Sequence, residues 1–309
     1  MFDFRQATRK REFSDEVNNV LLHSWRPQTI KQYDVYLKKW FTFTNQRSVN
    51  SFSPSVGNVL EFLYQLFDSG YSYSALNSAR STLSSFITFD NQPLGCNPCI
   101  VRFLRGCFNL RPSLPRTNVT WDVDRVLSYL KNLYPLCDLT LKDLTLKCVS
   151  LLAIVSGQRM QSLFYIDVRN IEILFDRLKI RFGDLLKTSR PNFHQKELCF
   201  ESYTDKRLCI VTTFQEYIKR TETLRSSGTQ LFISYTKPYS SVTRSTIARW
   251  VKVVLFNSGI DMCLFTPHSV RGASTSAAHR KRVPLATILE TAGWSNSKTF
   301  ARFYNKPIH

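Results

Sequence analysis

The sequence predicts a mainly α-helical protein with a small antiparallel β-sheet, divided into two domains. Apolar residues recur at helical spacing through much of the 309-residue chain, as expected of helices that bury one face. Short runs rich in β-branched and aromatic side chains occur near residues 168–182 and 197–200, and such runs are typical of strands. Residues 111–118 contain two prolines and no apolar period, which predicts a linker between the domains.

Four helices are predicted before the linker, within a helical domain spanning residues 25–110. Residues 1–24 are polar and mixed in charge, so we expect a loose N-terminal extension. The helices should begin near Thr29, run from Ser53 to Gly70, run from Ser74 to Phe86, and run from Cys99 to Leu110. One side of the third helix carries small polar residues and Arg80, which suits either approach to a sugar-phosphate backbone or plain exposure to solvent.

The domain predicted for residues 119–309 combines helices with the sheet. Two branched runs at 168–174 and 178–182 flank Phe175-Asp176-Arg177, which predicts a β-hairpin, and residues 197–200 supply a candidate third strand. Helices are predicted around this sheet at residues 122–133, 141–155, 208–224, 243–257, 269–281, 284–291 and 297–304.

The chain is strongly basic. Its 42 Lys and Arg residues against 23 Asp and Glu give a formal net charge of +19. An excess of this size favours a polyanionic partner, since each neutralised phosphate releases counterions, and a basic surface that serves solubility or faces anionic lipid is the alternative. No apolar window is long enough to span a membrane, and the N-terminus lacks the apolar core of a secretory signal, so we expect an intracellular, reducing location.

Eight cysteines are spread along the chain. Cys96 and Cys99 form a single C-x-x-C, with Cys107 next, and no histidine or second such pair lies close in the sequence. A structural zinc site needs four ligands, so we expect no metal. We expect buried free thiols instead, as the apolar context of Cys148 indicates.

Six side chains that could take part in catalysis follow one another in the second half of the chain. They are Arg159, Lys187, His268, Arg271, Trp294 and Tyr304. His268 and Arg271 stand three apart at a predicted helix start, and Tyr304 follows Trp294 by ten residues. Lys187 lies just after the predicted hairpin.

Cleavage of a phosphodiester without a metal requires groups that this series contains. A phenol can attack phosphorus and conserve the bond energy as a phosphotyrosine ester. Two guanidiniums can clamp the charge that gathers on the non-bridging oxygens, and a lysine can protonate the departing 5′-oxygen. Imidazole and indole N–H groups can orient the phosphate or assist proton transfer.

Each of these residues also has a purely structural explanation. Arg159 can complement the dipole at a helix end, and Arg271 can pair with Glu290. Lys187 can be a solvated hairpin residue, and the histidine, the tryptophan and the tyrosine can fill the core. The joint order and spacing of the six favour the chemical interpretation.

The second domain resembles the catalytic domain of the tyrosine recombinase and integrase family. The family series of Arg, Lys, His-x-x-Arg, His or Trp, and Tyr is matched by Arg159, Lys187, His268-Ser-Val-Arg271, Trp294 and Tyr304. Residues 25–110 resemble the core-binding domain of that family by size and helix count. The phrases LLKTSRPNF and QLFISYTKP are further similar to integrases of DIRS-type retrotransposons in eukaryotes.

The resemblance implies a two-domain clamp on double-stranded DNA. Tyr304 would be the nucleophile that forms a 3′-phosphotyrosine intermediate. Arg159 and Arg271 would hold the scissile phosphate, while Lys187 would act as general acid and His268 would assist proton transfer.

Further expectations follow from the resemblance. Trp294 would take the position that histidine or tryptophan fills in the family, and no metal or other cofactor would be needed. The protein would be a monomer when free and a homotetramer on paired DNA sites. Its location would be the nucleus if it derives from a eukaryotic retroelement.

Two features depart from the family pattern. Ser162 stands where the family often has an acidic residue, which leaves Gln161 or Asp167 as candidate supports for Arg159. The chain ends five residues after Tyr304, where many relatives carry a further helix that docks on a neighbouring protomer. A truncated chain or weak assembly is therefore one expectation.

Additional DNA contacts are predicted for basic residues on helix faces. Lys38, Lys39 and Arg80 occupy the first domain, and Arg249 and Lys252 lie opposite an apolar stripe in the second. Two other functions stay open. A type IB topoisomerase uses the same residue set to relax DNA, and a domesticated transposon protein can bind DNA without cutting it.

Overall fold

The computed structural model describes residues 14–113, 118–294 and 296–309. Residues 1–13 of the predicted extension and residues 114–117 of the predicted linker lie outside the described residues. The chain forms two units, Met1–Pro115 and Arg116–His309. The predicted fold class is confirmed, because helices dominate both units and the strands form small antiparallel sheets.

The described part of the first unit is a bundle of helices with one short hairpin. The helices are α1 (Asp15–His23), α2 (Pro27–Gln46), α3 (Val56–Asp68), α4 (Tyr73–Ser84) and α5 (Pro98–Leu110). The hairpin pairs β1 (Thr88–Phe89) with β2 (Gln92–Pro93). Asp90 and Asn91 turn it with φ of 49° and 58°, a conformation that these two residue types tolerate. Its strands of two residues are too short for an alternating pattern, and the hairpin was not predicted.

The prediction of a loose extension over residues 1–24 is wrong where α1 forms. The Ser14 side chain accepts a hydrogen bond from the Val17 backbone N–H and caps this helix. Asp15 and Glu16 in its first turn interact favourably with the helix dipole. Among the residues of α1 only Asn18 is buried, so the helix lacks the apolar periodicity on which the prediction depended.

An aromatic cluster occupies the core of the first unit. Trp40 is fully buried, stacks on Phe43 at 5.7 Å between ring centroids, and meets the edge of Phe62 at 5.2 Å. Its indole N–H donates to the Ser51 carbonyl at 2.9 Å, which satisfies the one polar atom that burial brings into the core.

The described part of the second unit surrounds a sheet with helices. The helices are α6 (Val123–Asn132), α7 (Leu141–Ser156), α8 (Met160–Phe164), α9 (Ile210–Thr221), α10 (Arg244–Asn257), α11 (Ser269–Arg280), α12 (Leu285–Ala292) and α13 (Ser297–Phe303). The strands are β3 (Ile171–Ile173), β4 (Arg177–Ile180) and β5 (Leu198–Glu201), in antiparallel order β3-β4-β5.

Helix α7 is the centre of this unit. It packs against α9, α10 and α11, and eleven of its residues are buried. One of them is Lys147, whose Nζ donates to the carbonyls of Leu130 at 3.0 Å and Leu133 at 2.5 Å. The lysine therefore supplies hydrogen bonds to carbonyls at the end of α6, where the Leu130 carbonyl also accepts from the Leu133 N–H.

The sheet forms where strands were predicted, with one change at its start. Ile171 pairs with Ile180, and Leu178 pairs with Phe200. Residues Val168–Asn170, predicted as strand, form a 3₁₀ turn because the Asp167 side chain accepts from the Arg169 backbone N–H.

The prediction of buried thiols holds for only part of the set. Cys107, Cys148 and Cys209 are buried, whereas Cys96, Cys99, Cys137, Cys199 and Cys263 are exposed. Cys199 illustrates the cause, since side chains alternate along β5 and its neighbour Leu198 takes the buried position. Within the described residues, no helix combines the length and the apolar character that crossing a membrane requires.

Candidate active site

The six predicted side chains come from five segments of the second unit. Arg159 lies between α7 and α8, Lys187 lies in the connection from β4 to β5, and His268 and Arg271 lie at the start of α11. Trp294 follows α12, and Tyr304 follows α13.

Arg271 is at the centre of the site. It is 1% exposed, and its Nη1 donates to the carbonyls of Gly157 at 2.6 Å and Ala292 at 2.7 Å. Its Cζ lies 4.1 Å from the ring centroid of Trp294 and 5.6 Å from that of Tyr304. The alternative that Arg271 pairs with Glu290 is wrong.

Three buried N–H donors around Arg271 have no hydrogen-bond partner among the described residues. They are Nε and Nη2 of Arg271 and Nε1 of Trp294. Buried donors are almost always paired, because an unpaired one costs about 1–3 kcal/mol. Two donors on a cation and one on a neighbouring indole are the groups that bind a phosphate oxygen.

Arg159 and Lys187 lie close enough to His268 for their charges to affect its pKa. Burial lowers the pKa of His268, and the charges of Arg271, Arg159 and Lys187 lower it further. All four side chains are therefore close enough to interact, and His268 is neutral at pH 7.

Burial also lowers the pKa of Arg271, and the charge of Arg159 acts in the same direction. Tyr304 opposes both, because its hydroxyl approaches the guanidinium and favours the charged form without making a hydrogen bond of normal geometry. A guanidinium remains protonated at neutral pH in any such setting. Two like charges held together are strained without an anion, which is the arrangement expected of a phosphate site.

Gly157 allows α7 to end directly against α11. Its φ is 57°, and a Cβ there would lie 2.9 Å from Cγ2 of Thr275. The left-handed residue turns its carbonyl toward Arg271 and directs the chain to half-buried Arg159. Arg159 precedes α8, so it does not serve as the final residue of the long apolar helix.

Gly293 and Trp294 form the end of α12. The Gly293 N–H donates to the Glu290 carbonyl at 3.1 Å, and the Trp294 N–H donates to the Leu289 carbonyl at 2.8 Å. This is a Schellman arrangement, which needs the left-handed φ of 70° found at Gly293. It directs the Trp294 ring onto Tyr304, with 4.6 Å between ring centroids.

Tyr304 is held beside Arg271 of the same chain. Its N–H donates to the Phe300 carbonyl at 2.9 Å, and its carbonyl accepts from the hydroxyl of fully buried Ser276. Beyond it, the Thr120 N–H donates to the Pro307 carbonyl at 2.8 Å. Sequence reasoning missed Ser276, because a serine inside an otherwise unremarkable helix gives no signal.

Lys187 is exposed in a tight turn. The neighbouring Leu186 is 2% exposed and anchors the turn in the core. The Leu186 N–H donates to the Ser189 hydroxyl at 3.0 Å, and the Ser189 N–H donates to the Leu186 carbonyl at 3.0 Å. The turn therefore has a fixed base, while the lysine side chain remains free to reach a substrate.

The suggested support of Arg159 by Asp167 is wrong. The Asp167 carboxylate accepts from Nε of Arg169 at 3.0 Å and from Nη2 at 2.7 Å, and the Thr229 hydroxyl also donates to it. Hydrogen bonding from Arg169 is the main cause that lowers the pKa of Asp167 to about 2.

The residues predicted to contact DNA elsewhere lie on helix surfaces. Lys38 forms an ion pair with Asp34 at 2.8 Å, and Lys39 lies 5.3 Å from the centroid of the Tyr71 ring. Arg80 is half-buried on α4, and Arg249 and Lys252 are exposed on α10. On α10 the stripe predicted to be buried is buried, as Ile247, Trp250, Val251 and Val254.

Comparison with known proteins gives one family. The phage integrase family model matches residues 123–308. Over 283 residues the chain is 24% identical to "Tyrosine recombinase XerA" of Pyrococcus horikoshii, which covers 90% of this chain and 82% of the relative.

Solved structures of low sequence identity share the fold. The Tn1549 transposon integrase in complex with transposon right end DNA gives a TM-score of 0.59 at 13% identity, covering 97% of this chain and 92% of that one. A lambda integrase dimer bound to a core site gives a TM-score of 0.54 at 16% identity, covering 94% and 93%.

Proposed function

The chain belongs to the phage integrase family, and from this premise we propose that it cuts and rejoins DNA strands through a transient bond between Tyr304 and a DNA phosphate. It is a tyrosine recombinase, an enzyme that cleaves and rejoins DNA at specific sites. The assignment of individual residues is our proposal, and it depends on the geometry of the second unit.

The three unpartnered donors of Arg271 and Trp294 carry this proposal. They are buried beside the Tyr304 ring, so a phosphate that satisfies them would lie next to the phenol. The two guanidinium donors are fixed before substrate arrives, because Nη1 of Arg271 is held by two carbonyls. Fixed donors stabilise developing charge without the cost of reorganisation.

The proposed reaction is a transesterification. The Tyr304 phenol oxygen attacks phosphorus, the bond from phosphorus to the 5′-oxygen breaks, and a 3′-phosphotyrosine ester forms. Lys187 gives its proton to the departing 5′-oxygen, and His268, neutral at pH 7, takes the phenol proton. Rejoining reverses these transfers with a 5′-hydroxyl as nucleophile. The ester conserves the bond energy, so no nucleotide cofactor is required.

Arg159 and Arg271 divide the charge on the non-bridging oxygens. Burial lowers the pKa of Arg271, the charge of Arg159 lowers it further, and a dianionic transition state would relieve the repulsion between the two cations. Ser162 is buried next to this region and carries no charge, so the phosphate itself, and not an acidic side chain, would balance the two cations.

The two units would both contact double-stranded DNA. We propose that residues 25–110 form a core-binding domain that presents Lys38, Lys39 and Arg80, and that residues 119–309 form the catalytic domain joined to it through 111–118. Arg249 and Lys252, exposed on α10, would bind phosphates. Lys38 would exchange its partner Asp34 for phosphate, a small loss because the ion pair is exposed.

The proposal also covers the oligomeric state of the protein and its evolutionary origin. Solved relatives include a lambda integrase tetramer bound to a Holliday junction, and we propose a homotetramer on paired sites for this chain. The phrases around Lys187 and residues 230–238 support an origin in a DIRS-type retrotransposon, and with it a nuclear location.

Trapping the covalent intermediate tests the proposal. Selection from random duplex DNA first identifies a bound sequence, and a duplex carrying that sequence with a nick near the cleavage point then prevents rejoining. We expect a detergent-stable adduct with the wild-type chain and none with Tyr304→Phe. Tyr203→Phe, on an exposed tyrosine outside the site, is the matched control and should form the adduct.

Two outcomes would favour other functions. The absence of adduct on every selected duplex would support a protein that binds DNA without cutting it. Relaxation of a supercoiled plasmid of arbitrary sequence, with no site preference, would support a type IB topoisomerase.

A further inference from the structure

Three side chains from different segments bind the last carbonyls of α12. Nε2 of Gln195 donates to the Glu290 carbonyl at 3.1 Å, and Nε2 of Gln158 donates to the Thr291 carbonyl at 2.6 Å. Nη1 of Arg271 donates to the next carbonyl, that of Ala292, at 2.7 Å. Gln158 and Arg271 satisfy carbonyls at the helix end, where helical N–H partners run out, whereas Gln195 adds a second donor to the Glu290 carbonyl, which also accepts from the Gly293 N–H.

Two of the three donors already belong to the site. Arg271 is one of its arginines, and Gln158 directly precedes Arg159. Gln195 lies far from both in sequence, in the connection from β4 to β5 that carries Lys187. The end of α12 therefore joins the loop of Lys187 to the segments of both arginines.

The backbone between Gln195 and Lys187 is short and hydrogen-bonded, so fixing Gln195 also restricts the position of Lys187. Arg190 and Phe193 exchange backbone hydrogen bonds of 3.0 Å and 2.9 Å, and this pair closes the chain between Lys187 and Gln195 into a short turn. Leu186 holds the other side of Lys187 in the core. The lysine thus lies between two anchors.

Gly293 provides space for the attachment. A Cβ at this position would clash with Oε1 of Gln195, so the glycine before Trp294 serves the docked loop as well as the end of the helix. Lys196 adds an ion pair with Glu290 at 2.9 Å, although both side chains are more than half exposed and contribute little.

From this arrangement we infer that Gln195 is a positioning residue, which holds the loop of Lys187 on the end of α12 so that the lysine can protonate the leaving 5′-oxygen. The inference rests on the proposed function. Gln195 would not touch the DNA phosphate, and its effect on the reaction would pass through Lys187 alone.

A change of leaving group separates this role from a general effect on folding. In a nicked duplex whose scissile 5′-oxygen is replaced by sulfur, the leaving thiolate needs no proton, because a thiol is far more acidic than an alcohol. We would measure the rate of adduct formation on this duplex and on ordinary DNA for the wild-type chain, Lys187→Ala and Gln195→Met. Methionine retains the length of glutamine and removes the N–H donor.

Gln195→Met should slow adduct formation about tenfold on ordinary DNA and less than about twofold on the sulfur-substituted duplex. Lys187→Ala should show the same pattern with a larger loss. Gln215→Met is the matched control, since Gln215 donates to the Leu174 carbonyl at 3.4 Å, and it should react at the wild-type rate on both duplexes.

Equal slowing of Gln195→Met on both duplexes, or no slowing on either, would overturn the inference. Retention of the wild-type thermal unfolding midpoint in Gln195→Met would establish that the measured loss belongs to the loop. A failure of the wild-type chain to form adduct on either duplex would reject the proposed function itself.

Discussion

Replacement of Gly157 by alanine tests how closely α7 approaches α11. Two costs are expected, and the structure separates them. A β-carbon at φ of 57° costs about 1 kcal/mol in backbone energy. The same atom would lie 2.9 Å from Cγ2 of buried Thr275, and crowding of this kind adds about 2 kcal/mol. Gly157→Ala should therefore lower the free energy of unfolding by about 3 kcal/mol.

Thr275→Ser removes only the methyl group that causes the crowding. The hydroxyl, which donates to the Arg271 carbonyl at 2.6 Å, is retained. In the Thr275→Ser background Gly157→Ala should cost only the backbone share of about 1 kcal/mol, so the coupling between the two positions should be about 2 kcal/mol. Gly259→Ala is the matched control, because Gly259 has φ of 73° and nothing within 4 Å of its added atom.

Equilibrium urea unfolding of the full chain, followed by tryptophan fluorescence, gives these values from the single and double variants. The reasoning is refuted if Gly157→Ala costs the same in both backgrounds. It is also refuted if Gly157→Ala costs no more than Gly259→Ala.

Three further predictions concern the core and the site. Burial lowers the pKa of Lys147 from 10.5 to about 8, so between these values the unfolded chain binds more protons than the folded one. The Lys147 contribution to the free energy of unfolding should then rise as pH increases through that window, and in urea titrations the free energy of unfolding of the wild-type chain minus that of Lys147→Met should rise with it. Trp294→Phe should slow adduct formation about tenfold by removing one phosphate donor, while buried Trp250→Phe serves as control. Ser276→Ala should slow adduct formation without weakening DNA binding in a mobility-shift assay, because its hydroxyl holds the Tyr304 carbonyl.

Much of the fold follows from local pattern. The stripe of Ile247, Trp250, Val251 and Val254 was predictable because a helix that buries one face repeats its apolar residues. Helix α1 was not predictable in this way, since its stability comes from the Ser14 cap and the acidic first turn. The 3₁₀ turn before β3 depends on one aspartate side chain competing with the ladder.

The reacting residues of the site were predictable from the sequence, but the hydrogen bonds that hold them in place were not. The order and spacing of the arginines, the lysine, the histidine and the tyrosine are visible in the sequence because chemistry restricts those positions to one or two residue types. Gln195 and Ser276 act through hydrogen bonds to backbone carbonyls of distant segments. Every residue carries the same backbone carbonyl, so the sequence does not reveal which carbonyl a given side chain will bind.

Arg271 binds protein and substrate with different atoms of one guanidinium. Its Nη1 joins the end of α7 to the end of α12 through Gly157 and Ala292, while Nε and Nη2 remain available. A lysine offers a single nitrogen and would have to give up one of these duties. Loss of activity on substitution of Arg271 therefore reports both a weaker connection between α7 and α12 and weaker phosphate binding. Substitutions of Arg271 and Arg159 would then reduce activity to different extents even if both arginines bound the phosphate oxygens equally well.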